Sequence, residues 1–215
     1  MQDGEGLAAV ILAAGMGSRL HPLTVDRPKT LVEVGPHDEP ILDLLLDHIA
    51  ACGIRTIYII TGYRADSIAR HIETSVHQDL VRLVFNPEFD SMNNARSLLA
   101  TRNMLEGRDF VKFDGDLVLD PGLLPLLLGS GERTATLVDN SRILVDEDMK
   151  AQVDASSRLI TAFGKHLPND AYGVSIGVER IGADHSALVF EAIDRMIYKL
   201  DRGGGYYEDA YQLVL

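Results

Sequence analysis

The sequence has one cysteine, no tryptophan and no apolar run long enough to cross a bilayer. Cys52 alone permits neither an intrachain disulfide nor a cysteine-based zinc site, so a reducing compartment suits the chain. Beside a helix end, it reads as a small buried apolar residue. The acidic opening "MQDGEG" followed by a short apolar run matches neither a signal peptide nor a spanning helix, and the expectation is a cytoplasmic protein outside the membrane. Positive charge is also scarce, with 20 Lys and Arg against 32 Asp and Glu and a formal charge of -12. Polyanion binders need clustered cations to replace counterions, so nucleic acid and anionic membranes are excluded as expected partners. Any phosphate bound here must be held locally. Nothing in the composition speaks to the oligomeric state.

The 215 residues suffice for one domain with a sizeable core. "LAAVIL" (7–12) is a continuous apolar run ending near glycine, the pattern of a strand buried on both faces. "ILDLLLDHIAACG" (41–53) places Ile41, Leu44, Leu45 and Ile49 on one helix face, and Gly53 stops it. The strand "TIYIIT" (56–61), a helix over 65–73, "VRLVF" (81–85), a helix over 94–105 and the strand "DFVKFD" (109–114) follow. Alternating strands and helices predict right-handed crossovers and a Rossmann-like, doubly wound mixed α/β sheet in a single domain. After Pro121 come shorter strands, "TATLVD", "LITAF" and "YGVSIGVERI", then a long helix over 184–200 with Val189, Ile193, Met196, Ile197 and Leu200 inward. Residues 1–120 are read as a nucleotide-binding half and 121–215 as an acceptor-binding half. "DRGGGYY" is read as the one flexible stretch.

A loop leaving the carboxyl end of a buried strand is where open α/β sheets bind ligands. Gly15 and Gly17 let backbone N–H groups come close to a phosphate there. The loop is not a dinucleotide fingerprint, since Leu20 stands where the third glycine belongs, and no G-K-[ST] follows as a Walker motif requires. Arg19, Pro22, Thr24 and Pro28-Lys29 come next, with proline forcing Arg27 toward an extended conformation. Such an arm can carry Arg19 and Lys29 to different phosphates of one ligand.

The whole pattern, G-x-G-S-R-L-x-P-x-T-x-x-x-P-K-x-L, resembles the signature of nucleotidyltransferases that join a nucleoside triphosphate to a phosphorylated small molecule. That resemblance implies that Leu12, Ala13, Ala14, Gly15, Gly17, Ser18 and Arg19 hold the nucleotide, with Arg19 on the β and γ phosphates. It places Lys29 and Lys165, the latter in "AFGKHLP", on the attacking group. Asp116 in "KFDGDLVLD" matches the family's Mg²⁺ ligand, and hard oxygen donors beside a phosphate cradle are what Mg²⁺ prefers. The segment "RLVFNPEFDSMNNARSLL" (82–99) resembles the one carried by phosphocholine and 2-aminoethylphosphonate cytidylyltransferases, which favours CTP. Asn93, Asn94 and Ser97 there offer donors and acceptors to a pyrimidine edge, although Asn93 and Ser91 are also natural helix caps.

The implied reaction needs no general base, because the acceptor's phosphate is already anionic; it needs positioning and charge neutralisation. For the acceptor, Tyr172, Tyr206, Tyr207 and Tyr211 are candidate walls around a choline head, Glu208 is a candidate partner for a primary amine, and phosphocholine is slightly preferred to aminoethylphosphonate as the expected acceptor. Alternatives are a sugar- or inositol-1-phosphate nucleotidyltransferase, a glycosyltransferase using the D-x-D at a strand end, and a non-catalytic nucleotide-sensing subunit. The resembling enzymes carry a second acidic metal motif before a closing helix, whereas here the chain runs "GGGYYEDAYQLVL". The expectation is either a C-terminally incomplete domain, or a site in which Glu208 and Asp209 supply that carboxylate, with Asp209 the better metal candidate.

Overall fold

The residues of the first strand alternate between two buried faces, which makes it the spine of the molecule. The computed structural model describes residues 6–200 and 204–215, so Asp201, Arg202 and Gly203 of the glycine-rich stretch read as flexible lie outside the described residues. In chain order the elements are β1 (Ala8–Ala13), the β2–β3 hairpin (Glu33–Val34, Glu39–Pro40), α1 (Ile41–Ala51), β4 (Ile57–Thr61) and α2 (Ala65–Glu73). Then come β5 (Val81–Phe85), α3 (Asn94–Leu99), α4 (Arg102–Leu105), β6 (Phe110–Asp114), α5 (Leu123–Leu128) and β7 (Ala135–Asp139). The last are β8 (Lys150–Val153), β9 (Ile160–Gly164), β10 (Gly173–Ile181), α6 (Ala183–Asp194) and α7 (Tyr207–Tyr211).

The main sheet has eight strands in the order β5-β4-β1-β6-β10-β8-β9, with β7 also paired to β10. The first four run parallel, and β10 turns the sheet mixed by pairing antiparallel with β6, Glu179 opposite Lys112. Ala8 and Val10 point into one apolar cluster with α3, α6 and α7; Ala9, Ile11 and Ala13 point into the other with α1, α2 and α5. Helices on both faces make the expected doubly wound sheet. No helix among the described residues is long and apolar enough to cross a membrane.

Three details differ from the sequence reading. The inward stripe of α1 uses Leu42 and Leu46 with Ile41, Leu45 and Ile49, while Leu44 is only partly buried, because the stripe is wider than one residue per turn. The helix expected over 94–105 is two helices: the fully buried Thr101 returns its hydroxyl to Leu98 O at 2.7 Å, competing with the ladder at the break. The final long helix ends in a π turn over Arg195–Lys199, which rotates Leu200 off the core and leaves it exposed. Cys52, at the end of α1, is half-buried, and burial raises its thiol pKa.

Candidate active site

A cavity of 630 Å³ opens at the carboxyl ends of β1 and β6, where a parallel sheet leaves strand ends and loop amides facing outward. The loop from Leu12 to Leu20 forms one wall. Asp114, Gly115 and Asp116 form the floor, and Phe89, Met92, Asn93, Asn94 and Ser97 stand on the α3 side. Glu147, Met149, Lys165, Tyr206 and Glu208 close the far end, so both halves of the chain contribute.

The loop owes its shape to Gly17, which adopts the left-handed conformation (φ 63°) and would bring a Cβ to 3.1 Å from Lys29 Cβ. Buried Thr24 of the signature donates its hydroxyl to Gly17 O at 2.8 Å, tying the arm back onto the loop. Leu20 N–H also donates to Gly17 O (2.9 Å), making a short 3₁₀ turn that leaves Arg19 exposed at the rim. A Cβ on Gly15 would meet nothing within 4 Å; the space beside this residue is cavity.

Gly115 N–H donates to Leu12 O at 3.0 Å and fixes the end of β6 beside the end of β1. Asp116 follows, its carboxylate paired with the Lys29 ammonium, each side chain about one-third exposed. Beneath the floor lies a charged cluster. The ammonium of Lys112 is fully buried, 3.1 Å from Asp114 Oδ1 and 2.6 Å from Glu179 Oε2, and it contacts the Tyr207 hydroxyl. Burial alone would lower its pKa, but the carboxylates of Asp114, Glu179 and Glu208 outweigh burial and raise it. Burial pushes Glu179 up to about 7 against the pull of Lys112, and pushes Glu208 up to about 8, with Asp114 adding to both rises. Gly177 makes room for this cluster: its φ is +80° and a Cβ there would lie 2.5 Å from Asp114 Oδ2.

The signature residues Leu12, Ala13, Ala14, Gly15, Gly17, Ser18, Arg19 and Lys29 all line the cavity, as do Asp116 and Lys165. Asn93, Asn94 and Ser97 line it too, but much of their hydrogen-bonding capacity is turned inward. Asn93 Oδ1 accepts from Asn94 N–H (2.8 Å), Asn94 Oδ1 accepts from Tyr207 N–H (3.1 Å), and Ser97 Oγ accepts from Asn86 Nδ2 (3.1 Å). Four residues expected at the site are not brought to it. Tyr172, half-exposed before β10, is off the cavity wall, and Tyr207 and Tyr211 are buried in the core off the cavity lining. Asp209 instead caps α7, its carboxylate accepting from Tyr206 N–H at 2.8 Å, and Glu208 is the acid that faces the cavity.

Glu208 is 4% exposed, and its Oε2 is buried with no hydrogen-bond partner among the described residues. An orphaned carboxylate oxygen lining the same cavity as Asp116 suits a hard cation. Among the described residues no group of three or more acidic, imidazole or thiol side chains could hold a metal by itself. The donors therefore match an ion that takes one or two protein carboxylates and fills its shell from phosphate and water, as Mg²⁺ does.

Sequence reasoning missed Lys112, Glu179 and Glu147, whereas Tyr206, one of the candidate acceptor walls, does line the cavity. A signal existed for the first two: each is a charge inside a largely apolar strand, Lys112 in "FVKFD" and Glu179 in "GVSIGVERI", where an uncompensated charge would be prohibitive. Glu147 sits in an irregular segment with no periodicity to mark it.

A 32% identical relative, CMP-5'-(3-aminopropyl)phosphonate synthase of Streptomyces rubellomurinus, aligns over 133 residues, 62% of this chain and 21% of its own. CTP:phosphoglutamine cytidylyltransferase of Campylobacter jejuni is 29% identical over 138 residues, 62% of this chain and 53% of that protein. The aligned part thus spans about a fifth to about half of the length of these curated relatives. The crystallised CTP:phosphocholine cytidylyltransferase of Streptococcus pneumoniae shares the fold, with a TM-score of 0.76 at 23% identity over 96% of this chain and 84% of that one. The profile of the Nucleotidyl transferase family matches residues 8–150, and with β1, the glycine loop and the acidic end of β6 all inside that match, the chain belongs to this family.

Proposed function

We propose that the protein transfers CMP from CTP to a small amine-bearing phosphorylated or phosphonate acceptor, with release of pyrophosphate. The observation that carries the reading is the placement of Arg19, Lys29 and Lys165 around one cavity whose floor and far end hold Asp116 and Glu208. Three cations and two hard-oxygen donors are what two phosphorylated ligands and one divalent ion require. The relatives named for CMP and CTP support cytidine as the donor base. Residues 1–120 would hold the nucleotide and 121–215 the acceptor, within one domain.

An oxygen of the acceptor attacks the α-phosphorus, the bond from that phosphorus to the bridging oxygen breaks, and pyrophosphate leaves in line. The attacking oxygen is already anionic, so no side chain has to remove a proton. Arg19 and the loop from Gly15 bind the β and γ phosphates, orienting the leaving group and neutralising the charge it gains. Lys29 and Lys165 draw the acceptor's anion toward the nucleotide and offset repulsion between the two. Asp116 and Glu208 would hold Mg²⁺, which when bound supplies charge neutralisation on the phosphates.

The test is pyrophosphate release from CTP, UTP, ATP or GTP offered with phosphocholine, 2-aminoethylphosphonate or glucose 1-phosphate. CTP with an amine-bearing acceptor should turn over fastest. Equal use of UTP with the sugar phosphate would move the protein to the sugar branch, and tight CTP binding without turnover on any acceptor would make it a sensing subunit.

A further inference from the structure

The helix that carries Glu208 has only five residues, too few to hold itself together in water, so its position must come from outside fastenings. Two of them converge on the preceding residue. Tyr207 N–H donates to Asn94 Oδ1 at 3.1 Å, and its buried hydroxyl contacts Lys112 and stands 3.3 Å from both oxygens of Asp114. A third fastening is Asn93 Nδ2 donating to Gly204 O at 3.1 Å. Asn94 opens α3 on the cavity wall, so the residue whose type suggests contact with a base has its acceptor oxygen committed to the backbone beside Glu208.

We infer that Asn94 is a positioning residue: it holds Tyr207, and through it Glu208, at the far end of the cavity, and it does not select the base. The inference rests on the Mg²⁺–nucleotide reading of the site. Asn94 Oδ1 acts on Tyr207 N–H from one side while the Lys112–Asp114 pair fixes the ring from the other. Between those two points the Glu208 carboxylate is kept buried and directed at the cavity, against its tendency to move into water.

Two variants separate positioning from base reading, because Asn94→Asp keeps the acceptor oxygen and loses the amide donor, while Asn94→Ala loses both. Three readouts apply to the full chain: the Mg²⁺ concentration at half-maximal CTP binding by calorimetry, amide exchange over 206–211, and the ratio of CTP to UTP affinity. Asn94→Ala should raise the Mg²⁺ requirement about tenfold, the scale of lost support behind a metal ligand, and speed exchange at Tyr207. Asn94→Asp should restore both, and neither variant should change the CTP to UTP ratio by more than about twofold, well short of a lost base contact. A fall in that ratio for Asn94→Asp overturns the inference, as does an unchanged Mg²⁺ requirement in Asn94→Ala. If Asn94→Ala fails to fold, the ratio in Asn94→Asp still decides. Failure of the wild-type protein to bind any nucleotide with Mg²⁺ would strike the proposed function instead, and exchange at Tyr207 in the two variants would still show whether the fastening exists.

Discussion

The ammonium of Lys29 lies against the carboxylate of Asp116, 87 positions further along the chain, so the group expected to attract the acceptor neutralises the group expected to hold the ion. Each must exchange its partner when ligands arrive. Lys29→Ala should therefore strengthen Mn²⁺ binding to the nucleotide-free protein, read by electron paramagnetic resonance, while cutting turnover by about 10²-fold, the usual scale for a lost charge-stabilising group. Unchanged turnover would remove Lys29 from the mechanism.

Arg19 stands exposed at the rim, on a turn that Gly17 shapes, with no part in the core. Arg19→Ala should leave the thermal midpoint in place and weaken CTP binding by about tenfold, because a charge-assisted contact to phosphate is worth about 1.5–3 kcal/mol. Wild-type affinity in a calorimetric titration would contradict the assignment.

On the proposed function, the end of the cavity that holds Lys165 should disfavour a quaternary amine. A choline head wants open aromatic faces, but Lys165 Nζ already lies 4.7 Å from the Tyr206 ring centroid, Tyr172 is off the wall and Tyr207 is buried. Glu147 stands 3.6 Å from Lys165 and can pass to a primary ammonium once Lys165 engages the acceptor's anion. Turnover with 2-aminoethylphosphonate should exceed that with phosphocholine by about tenfold, in line with cation–π contacts of about 1–2 kcal/mol. Comparable rates would mean that Lys165 leaves the Tyr206 face on binding.

Burial pushes Glu179 up to about 7 and Glu208 up to about 8 in the folded protein, above the ordinary 4.5. The native state therefore keeps protons that the unfolded chain has already released. The stability these groups contribute is complete below about pH 4.5 and is lost as pH rises through 7 and 8, at up to about 1.4 kcal/mol per pH unit for each. The thermal midpoint measured in EDTA should fall between about pH 6 and about pH 8.5, and Glu179→Gln should flatten that decline, since the amide cannot ionise. A midpoint insensitive to pH in the wild-type protein would rule this out.

Where one local pattern decides the structure, the sequence was enough to read it. The apolar run of β1 and the range read for α2 placed those elements within a residue, and the ordered signature pointed to Arg19 and Lys29, and the acidic end of "KFDGDLVLD" to Asp116, all of which line one cavity. What escaped depends on partners far away in the chain. Asn94 offers the same amide to a base or to a backbone N–H, and only the docking of α7 selects Tyr207. Asp209 and Glu208 are adjacent acids in a helix too short for a periodic signal, so which one caps and which one faces the cavity is settled by the packing of Tyr207. Thr101, compatible with a helix by type, breaks one because its hydroxyl returns to Leu98.

The fastenings of the floor also set an order of assembly. Asn93 to Gly204, Asn94 to Tyr207 and Lys112 to Tyr207 close loops of 111, 113 and 95 residues, whereas β1, β4, β5 and β6 lie within the first 114 residues. Contacts of such separation form late, because each must first bring distant segments together. A chain emerging from the ribosome through β6 thus carries its parallel strands and glycine loop beside a lysine with neither Glu179 nor Tyr207 to meet it. Until β10 arrives, the charge of Lys112 is answered only by Asp114; Glu179 then adds a second carboxylate, and synthesis of residues 204–211, which bring the Tyr207 hydroxyl and Glu208, becomes the step that separates a folded scaffold from an assembled cavity.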